Sequence, residues 1–201
     1  MVEIKLKYNE VILDELDKGD RVASDLPFPK HGSDVSAGYD IFAASDPEIV
    51  GEKNEYGGWN RIDYIQYATG IHVQPPKSNV ENGFYETYHT LAFPRSSVSK
   101  YNLQLANGIG LIDNDYIGQI YLRYNYIWQP EDFSWFHDGD IMSGKRGKNR
   151  VVGNVNMHRV YRKGDAIGQL VVQKTEFANF EVVLDLMETK RGEGGFGSTG
   201  K

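Results

Sequence analysis

An arginine and two hydroxyls stand together in Phe93-Pro94-Arg95-Ser96-Ser97, at the entrance to a stretch that reads as a short helix. A guanidinium, hydroxyls and the free N–H groups of a helix start form an oxyanion cradle. The same residues also suit an ordinary serine N-cap beside a surface arginine. A second stretch, Gly108-Ile109-Gly110-Leu111-Ile112-Asp113-Asn114-Asp115-Tyr116-Ile117-Gly118, runs from a glycine-flanked strand into a tight acidic turn. It places Asp113 and Tyr116 at a hairpin tip, where backbone can approach a ligand closely. A plain hairpin turn uses the same residue types, because Asp and Asn hydrogen-bond locally there. The third stretch is Arg191-Gly192-Glu193-Gly194-Gly195-Phe196-Gly197-Ser198-Thr199-Gly200-Lys201. Glycines let successive N–H groups converge on an anion, and Arg191, Ser198 and Thr199 add donors. Phe196 has nothing local to pack on and can cover a flat ring; a flexible linker is the plainer reading.

The elements that must carry these stretches are mostly strands. Val2 to Lys7 alternates apolar and charged residues, as a half-buried strand does. Ile62–Val73, Phe84–Phe93, Ile109–Ile112, Gln119–Trp128, Val151–Tyr161, Ile167–Gln173 and Phe180–Leu186 read the same way, rich in Val, Ile, Tyr and Thr between turn residues. Thirteen tyrosines and nine phenylalanines add to that preference. Helical spacing is weak: Leu13–Leu16 suits one turn, and Ser97–Leu105 is the best short helix. The expected fold is all-β, a sandwich or jelly-roll-like barrel over residues 1–189, with a glycine-rich tail over 190–201. Glycine fills five of the last ten positions, so the tail is expected to be mobile until something binds it. Two elaborations stand out. Residues 45–60 have the glycine and charge content of a loop. Residues 129–149 open with Phe133, Trp135 and Phe136 and lead into a basic run, Lys145 to Arg150, that reads as a solvated loop.

With 201 residues and 40% hydrophobic content the chain can bury a real core. It has no cysteine, which excludes disulfide frameworks and thiolate-held zinc and suits a reducing compartment. No signal-like or membrane-spanning apolar run occurs, so the expectation is a soluble, cytoplasmic protein without membrane contact. A formal net charge of −6 argues against a general nucleic-acid coat and makes local donors necessary for any polyphosphate. The histidines (His31, His72, His89, His137 and His158) lack metal-ligand spacing.

Taken together, the stretches resemble the trimeric dUTP pyrophosphatases (dUTPases), whose five motifs follow one another in order. They correspond here to Ala37-Gly38-Tyr39-Asp40, Pro94-Arg95-Ser96-Ser97, Asn107 through Gly118, Gly164 through Leu170, and Arg191 through Gly200. Thr69-Gly70-Ile71 also fits the family. The resemblance implies a jelly-roll-like fold and hydrolysis of dUTP to dUMP and pyrophosphate, which limits uracil in DNA and supplies dUMP for dTMP synthesis. Asp113 would be the general base for a water attacking the α-phosphorus. Tyr116 would pack on the deoxyribose and exclude a 2′-hydroxyl. Asn107 and the backbone at Gly110 would read the uracil edge, where a wrong base leaves polar groups unpaired.

The resemblance also implies that Arg95, Ser96, Ser97 and Gln169 hold the phosphate chain, with Arg191 on the terminal phosphate. Gly197, Ser198 and Thr199 would add donors, and Phe196 would stack on uracil. Mg²⁺ would bridge the phosphates, with Asp40 either touching it through water or bracing the hairpin. The family assembles as a homotrimer whose tails close sites shared between subunits. Two residues depart from the family pattern: Ser97 replaces the usual glycine and Gly168 the usual alanine. The elaborations lengthen two inter-motif intervals and suggest an altered interface or an extra partner surface. dCTP deaminases share the fold and the Arg-Ser-Ser motif, but their catalytic glutamate is replaced by Arg123. A non-catalytic nucleotide sensor would bind dUTP without turnover, and Asp113 argues against it.

Overall fold

Period-two alternation is satisfied wherever one strand face meets the core. In Tyr121–Tyr126 the odd positions are exposed and Leu122, Tyr124 and Tyr126 are buried. The structure, a computed structural model, describes residues 2–22, 25–79, 85–137 and 148–194. The strands are β1 (Lys5–Tyr8), β2 (Lys30–His31), β3 (Tyr39–Phe42), β4 (Glu48–Lys53), β5 (Trp59–Ala68), β6 (Ile71–Gln74) and β7 (Lys77–Asn79). They continue with β8 (Tyr85–Phe93), β9 (Leu103–Leu105), β10 (Gly110–Ile112), β11 (Tyr121–Tyr126), β12 (Phe133–His137), β13 (Asn149–Gly153) and β14 (Ala166–Lys174).

One sheet runs β10-β8-β14-β3-β2 with β7 also on β8, the other β12-β13-β5-β11-β9 with β4 also on β5, and β1 pairs with β6. Each sheet keeps open ends, so the all-β expectation holds in its sandwich form. Ile41, Ile167 and Leu170 from the first sheet meet Ile65, Tyr67, Leu122 and Tyr124 from the second.

The helix lies elsewhere than expected. Ser97–Leu105 is a 3-10 turn, Ser96–Lys100, followed by β9, in which Leu103 and Leu105 are buried and Gln104 is exposed. Three serines and a valine in the turn favour a short i→i+3 segment over an α-helix. The α-helix, α1, spans Glu10–Asp17, two turns where one was expected, and Asn9 caps it by accepting from the Ile12 amide at 3.0 Å. Gly70 makes room for it. This residue has φ of 72°, and a Cβ there would lie 2.2 Å from Ile12 Cδ1. It also splits the run Ile62–Val73 into β5 and β6.

Residues 45–60 are not a loop but β4, a turn and the start of β5. Gly51 sits at a register shift, and Asn54 Oδ1 accepts from the amides of Tyr56 and Gly58, both at 3.0 Å. Of the second elaboration, β12 and β13 form an antiparallel pair; Lys145, Arg146 and Gly147 lie outside the described residues. Val151–Tyr161 is strand only to Gly153. Phe180–Leu186 is not a strand in this chain, and Phe180, Val182 and Leu184 are 93%, 99% and 101% exposed. Among the described residues no helix is long and apolar enough to cross a membrane.

Gly168 departs from the family's alanine for a packing reason. A Cβ there would stand 2.6 Å from Leu122 Cδ1 and 3.0 Å from the Phe93 carbonyl. Deeper in the core Tyr67, Tyr124 and Tyr161 meet edge to face with centroids 5.7–5.8 Å apart. Tyr124 donates to the Ile167 carbonyl. Burial pushes all three phenols above their ordinary range, Tyr161 to about 12.

Unfolded tyrosines release their protons near pH 10 while these three retain theirs in the fold, so the unfolded state gains above that pH. The unfolding free energy from urea titrations is expected to hold up to about pH 9.5 and then fall by about 1.4 kcal/mol per pH unit for each tyrosine, lowering the midpoint with it. Midpoints unchanged at pH 11 would contradict the burial of these hydroxyls.

Candidate active site

The hairpin after β10 is built by glycines and held by its neighbours. Gly108 takes φ of 68° and its amide donates to the Leu105 carbonyl at 3.0 Å, turning the chain into β10. Gly110 lies opposite Ala92 on β8, and a Cβ there would come within 3.2 Å of Ala92 Cβ and 3.4 Å of Asn107 Nδ2. The Tyr116 amide donates to the Asp113 carbonyl at 3.2 Å, closing the turn. The Tyr116 ring folds over Gly118, where a Cβ would meet its hydroxyl at 2.5 Å, and that hydroxyl donates to the Gln119 carbonyl at 2.9 Å.

The outgoing limb is tied to Thr69-Gly70-Ile71. Thr69 Oγ1 donates to the Ile120 carbonyl at 2.7 Å, and the Ile120 amide donates to the Ile71 carbonyl at 3.0 Å. His72 Nδ1 lies 2.9 Å from the Ile117 carbonyl, and Asn9 Nδ2 donates to Gln119 Oε1 at 2.7 Å. Asn107, Gly110, Asp113 and Tyr116 therefore border one cavity of about 550 Å³, a size that suits a small-molecule ligand.

Gln119 and Arg123 also line this cavity, and the sequence reading did not single them out as site residues. Arg123 stands on the exposed face of β11, its Cζ 4.2 Å from the Tyr64 ring centroid and its Nε donating to Gln66 Oε1 at 2.8 Å. The alternation of β11 was the signal that could have exposed it.

A second group gathers around Asp40. Register places Gln169 on β14 opposite both Asp40 on β3 and Phe93 on β8. Pro94 follows Phe93 and offers no N–H for a further rung, so the chain leaves the sheet and presents Arg95. Gln169 Nε2 donates to Asp40 Oδ1 at 2.8 Å, and Arg95 Nη2 lies 3.0 Å from Asp40 Oδ2. Both carboxylate oxygens are thus engaged, and Asp40 braces Arg95 and Gln169, not the hairpin.

Arg95, and not a serine, is the N-cap residue of the following 3-10 turn, and its side chain makes no capping bond. Ser96 is exposed, while Ser97 faces inward. Burial raises the Tyr161 hydroxyl, and the Ser97 side chain beside it acts in the opposite direction.

Arg95, Ser96, Ser97 and Gln169 do not line the cavity that holds Asp113. Arg191 belongs to an exposed turn, its Nε donating to the Gly194 carbonyl at 2.7 Å, and joins neither group. Phe196, Gly197, Ser198 and Thr199 lie outside the described residues. Among the described residues no three His, Asp or Glu side chains converge as a metal cage. Asp40, already paired with a cation, is a poor direct ligand for a second one.

No protein-family model matches the chain. The deoxyuridine 5'-triphosphate nucleotidohydrolase of Tolumonas auensis is 30% identical over 182 residues, covering 90% of this chain and 92% of that protein. The enzyme of the same name from Corynebacterium glutamicum is 31% identical over 182 residues, with 90% and 92% covered. The solved dUTPase of Staphylococcus bacteriophage 80alpha with dUPNHPP superposes with a TM-score of 0.58 at 21% identity, covering 99% of both chains, which extends the likeness to the fold. Phage phi11 dUTPase, solved with a structural Mg(II) ion, gives a TM-score of 0.51 at 17% identity over 91% of this chain and 97% of that one. Relatedness of this degree runs through nearly the whole chain, and on that ground the protein belongs to the deoxyuridine 5'-triphosphate nucleotidohydrolase (dUTPase) family.

Proposed function

We propose that the protein hydrolyses dUTP to dUMP and pyrophosphate, with Asp113 as the general base. The observation that carries this reading is the placing of Asp113, Tyr116, Asn107 and Gly110 around one cavity in a chain of the dUTPase family. Asp113 is exposed at the end of β10, where its carboxylate can accept a proton from a water as that water attacks the α-phosphorus. Tyr116 is set by its bond to Gln119 and by the space over Gly118, so its ring forms a fixed wall against a ribose 2′-hydroxyl. Asn107 and the Gly110 backbone read the uracil edge, and a 5-methyl group meets the hairpin. Arg123 is occupied by Tyr64 and Gln66 where a deaminase carries its glutamate, which disfavours dCTP deamination.

Arg95, Ser96 and Gln169 take the phosphates, with Arg95 and Gln169 aimed by Asp40. Magnesium neutralises phosphate charge when it arrives with the triphosphate.

We further propose a homotrimer with shared sites. The phosphate group and the base cavity do not merge within one chain, and Phe177, Phe180, Val182, Leu184, Leu186 and Met187 are exposed. Such an apolar run in a water-soluble chain points to burial against another subunit. The tail then brings Arg191 to a neighbour's site, where it excludes water.

Pyrophosphate release with Mg²⁺ should occur with dUTP and not with dTTP, dCTP or UTP. Asp113→Asn should lower kcat by about 10²- to 10⁴-fold. Equal turnover of UTP would contradict the role of Tyr116, and an unimpaired Asp113→Asn would contradict the base. In sedimentation the whole chain should run as a trimer, and Val182→Asp combined with Leu184→Asp should dissociate it. A monomeric wild type would contradict the shared site.

A further inference from the structure

We propose that Asn114 is a positioning residue that aims Asp113, an inference that rests on Asp113 being the base. The outer edge of β8 is broken. β7 pairs with it as far as Lys77↔Thr87, and β10 pairs with it from Ile112↔Thr90. Between these rungs, among the described residues, Tyr88 and His89 have a strand partner only on the β14 side. The Thr87 carbonyl accepts from the Thr175 amide at 2.9 Å. Carbonyls alternate sides along a strand, so the next one, of Tyr88, turns to the open side. The segment arriving there from β6 is Pro75-Pro76, and proline has no N–H to offer it.

Asn114 supplies the missing donor. Its Nδ2 lies 3.1 Å from the Tyr88 carbonyl, 3.1 Å from that of Pro75 and 3.2 Å from that of Pro76. One primary amide thereby fastens the turn to β8 and to the β6–β7 connection at once. Its two hydrogens serve three acceptors, so at least one bond is shared. Of the side chains of similar size, aspartate would set a carboxylate against three carbonyls, and alanine would leave all three without this donor. The residue immediately before the clamp is Asp113. Asn107 and Gly110, which read the base, lie before β10 or at its start and do not depend on the clamp. Loss of Asn114 therefore frees the carboxylate while leaving the base-reading limb in place. A misplacement of about 1 Å at a reacting group costs about 10²-fold in rate.

The test combines steady-state hydrolysis of dUTP with calorimetric binding of the non-hydrolysable α,β-imido-dUTP. It uses full-length wild type, Asn114→Ala, Asp113→Asn and the double variant. Asn114→Ala should lose about 100-fold in kcat, while KM and analogue affinity stay within about threefold of wild type. The double variant should be no slower than Asp113→Asn alone, because aiming is worthless without the base. Should Asn114→Ala fail to fold, Asn114→Ser, which stays polar but is one bond too short to hold the three carbonyls, carries the same comparison. An unchanged kcat, a kcat loss matched by loss of analogue binding, or multiplication of the two losses in the double variant would overturn the proposal. A fully active Asp113→Asn would instead overturn the base assignment itself.

Discussion

The buried carboxylate of Asp40 is the constraint that ties β3, β14 and the chain just beyond β8 together. A carboxylate taken out of water costs several kcal/mol unless charge and hydrogen bonds replace its hydration. Here the replacement comes from two different strands: Gln169 on β14 and Arg95 just beyond β8. Satisfying one carboxylate fixes three pieces of chain relative to one another. Arg95 is held extended by a partner it would leave only at the cost of an unpaired buried charge. In the proposed function, a guanidinium so held would meet an incoming phosphate without first losing side-chain freedom.

The hairpin after β10 rests on a different device. The hairpin that carries Asp113 and Tyr116 has only a three-residue strand, β10, beside β8, too little to hold its shape alone. Its rigidity comes from ties to other elements: Thr69 and Ile71 on the outgoing limb, Asn9 at the start of α1, and His72 on β6. Gly70 is the common point. Its carbonyl accepts from the Asn9 amide at 2.9 Å, and its missing Cβ admits Ile12. The short helix and the Thr-Gly-Ile turn thus form one support beneath the hairpin.

Much of this was legible in the sequence. Strands such as β8, β11 and β14 announced themselves by alternation, and the hairpin glycines marked where backbone must come close. α1 was underestimated because its apolar stripe is short: Ile12 is its one buried residue and Leu16, one turn on, is half-buried. β4 was hidden because its glycine serves a register shift, and composition alone cannot separate a bulge from a loop. Phe180–Leu186 shows the reverse error. Alternation there matches a strand, but alternation alone does not supply a neighbour to pair with, and the segment stays exposed. Asp40 was legible as a motif residue and not as a brace, because Gln169 lies 129 positions away and only the sheet register brings the two together.

The most direct test of this account is a double-mutant cycle on dUTP hydrolysis with Asp40→Asn, Arg95→Ala and the pair. Coupled residues give non-additive losses in kcat/KM, whereas independent ones multiply. If Asp40 acts by holding Arg95, Asp40→Asn will lower kcat/KM in the wild-type background and lower it little further once Arg95 is alanine. Losses that multiply in full would contradict the account and give Asp40 a role independent of the arginine it touches.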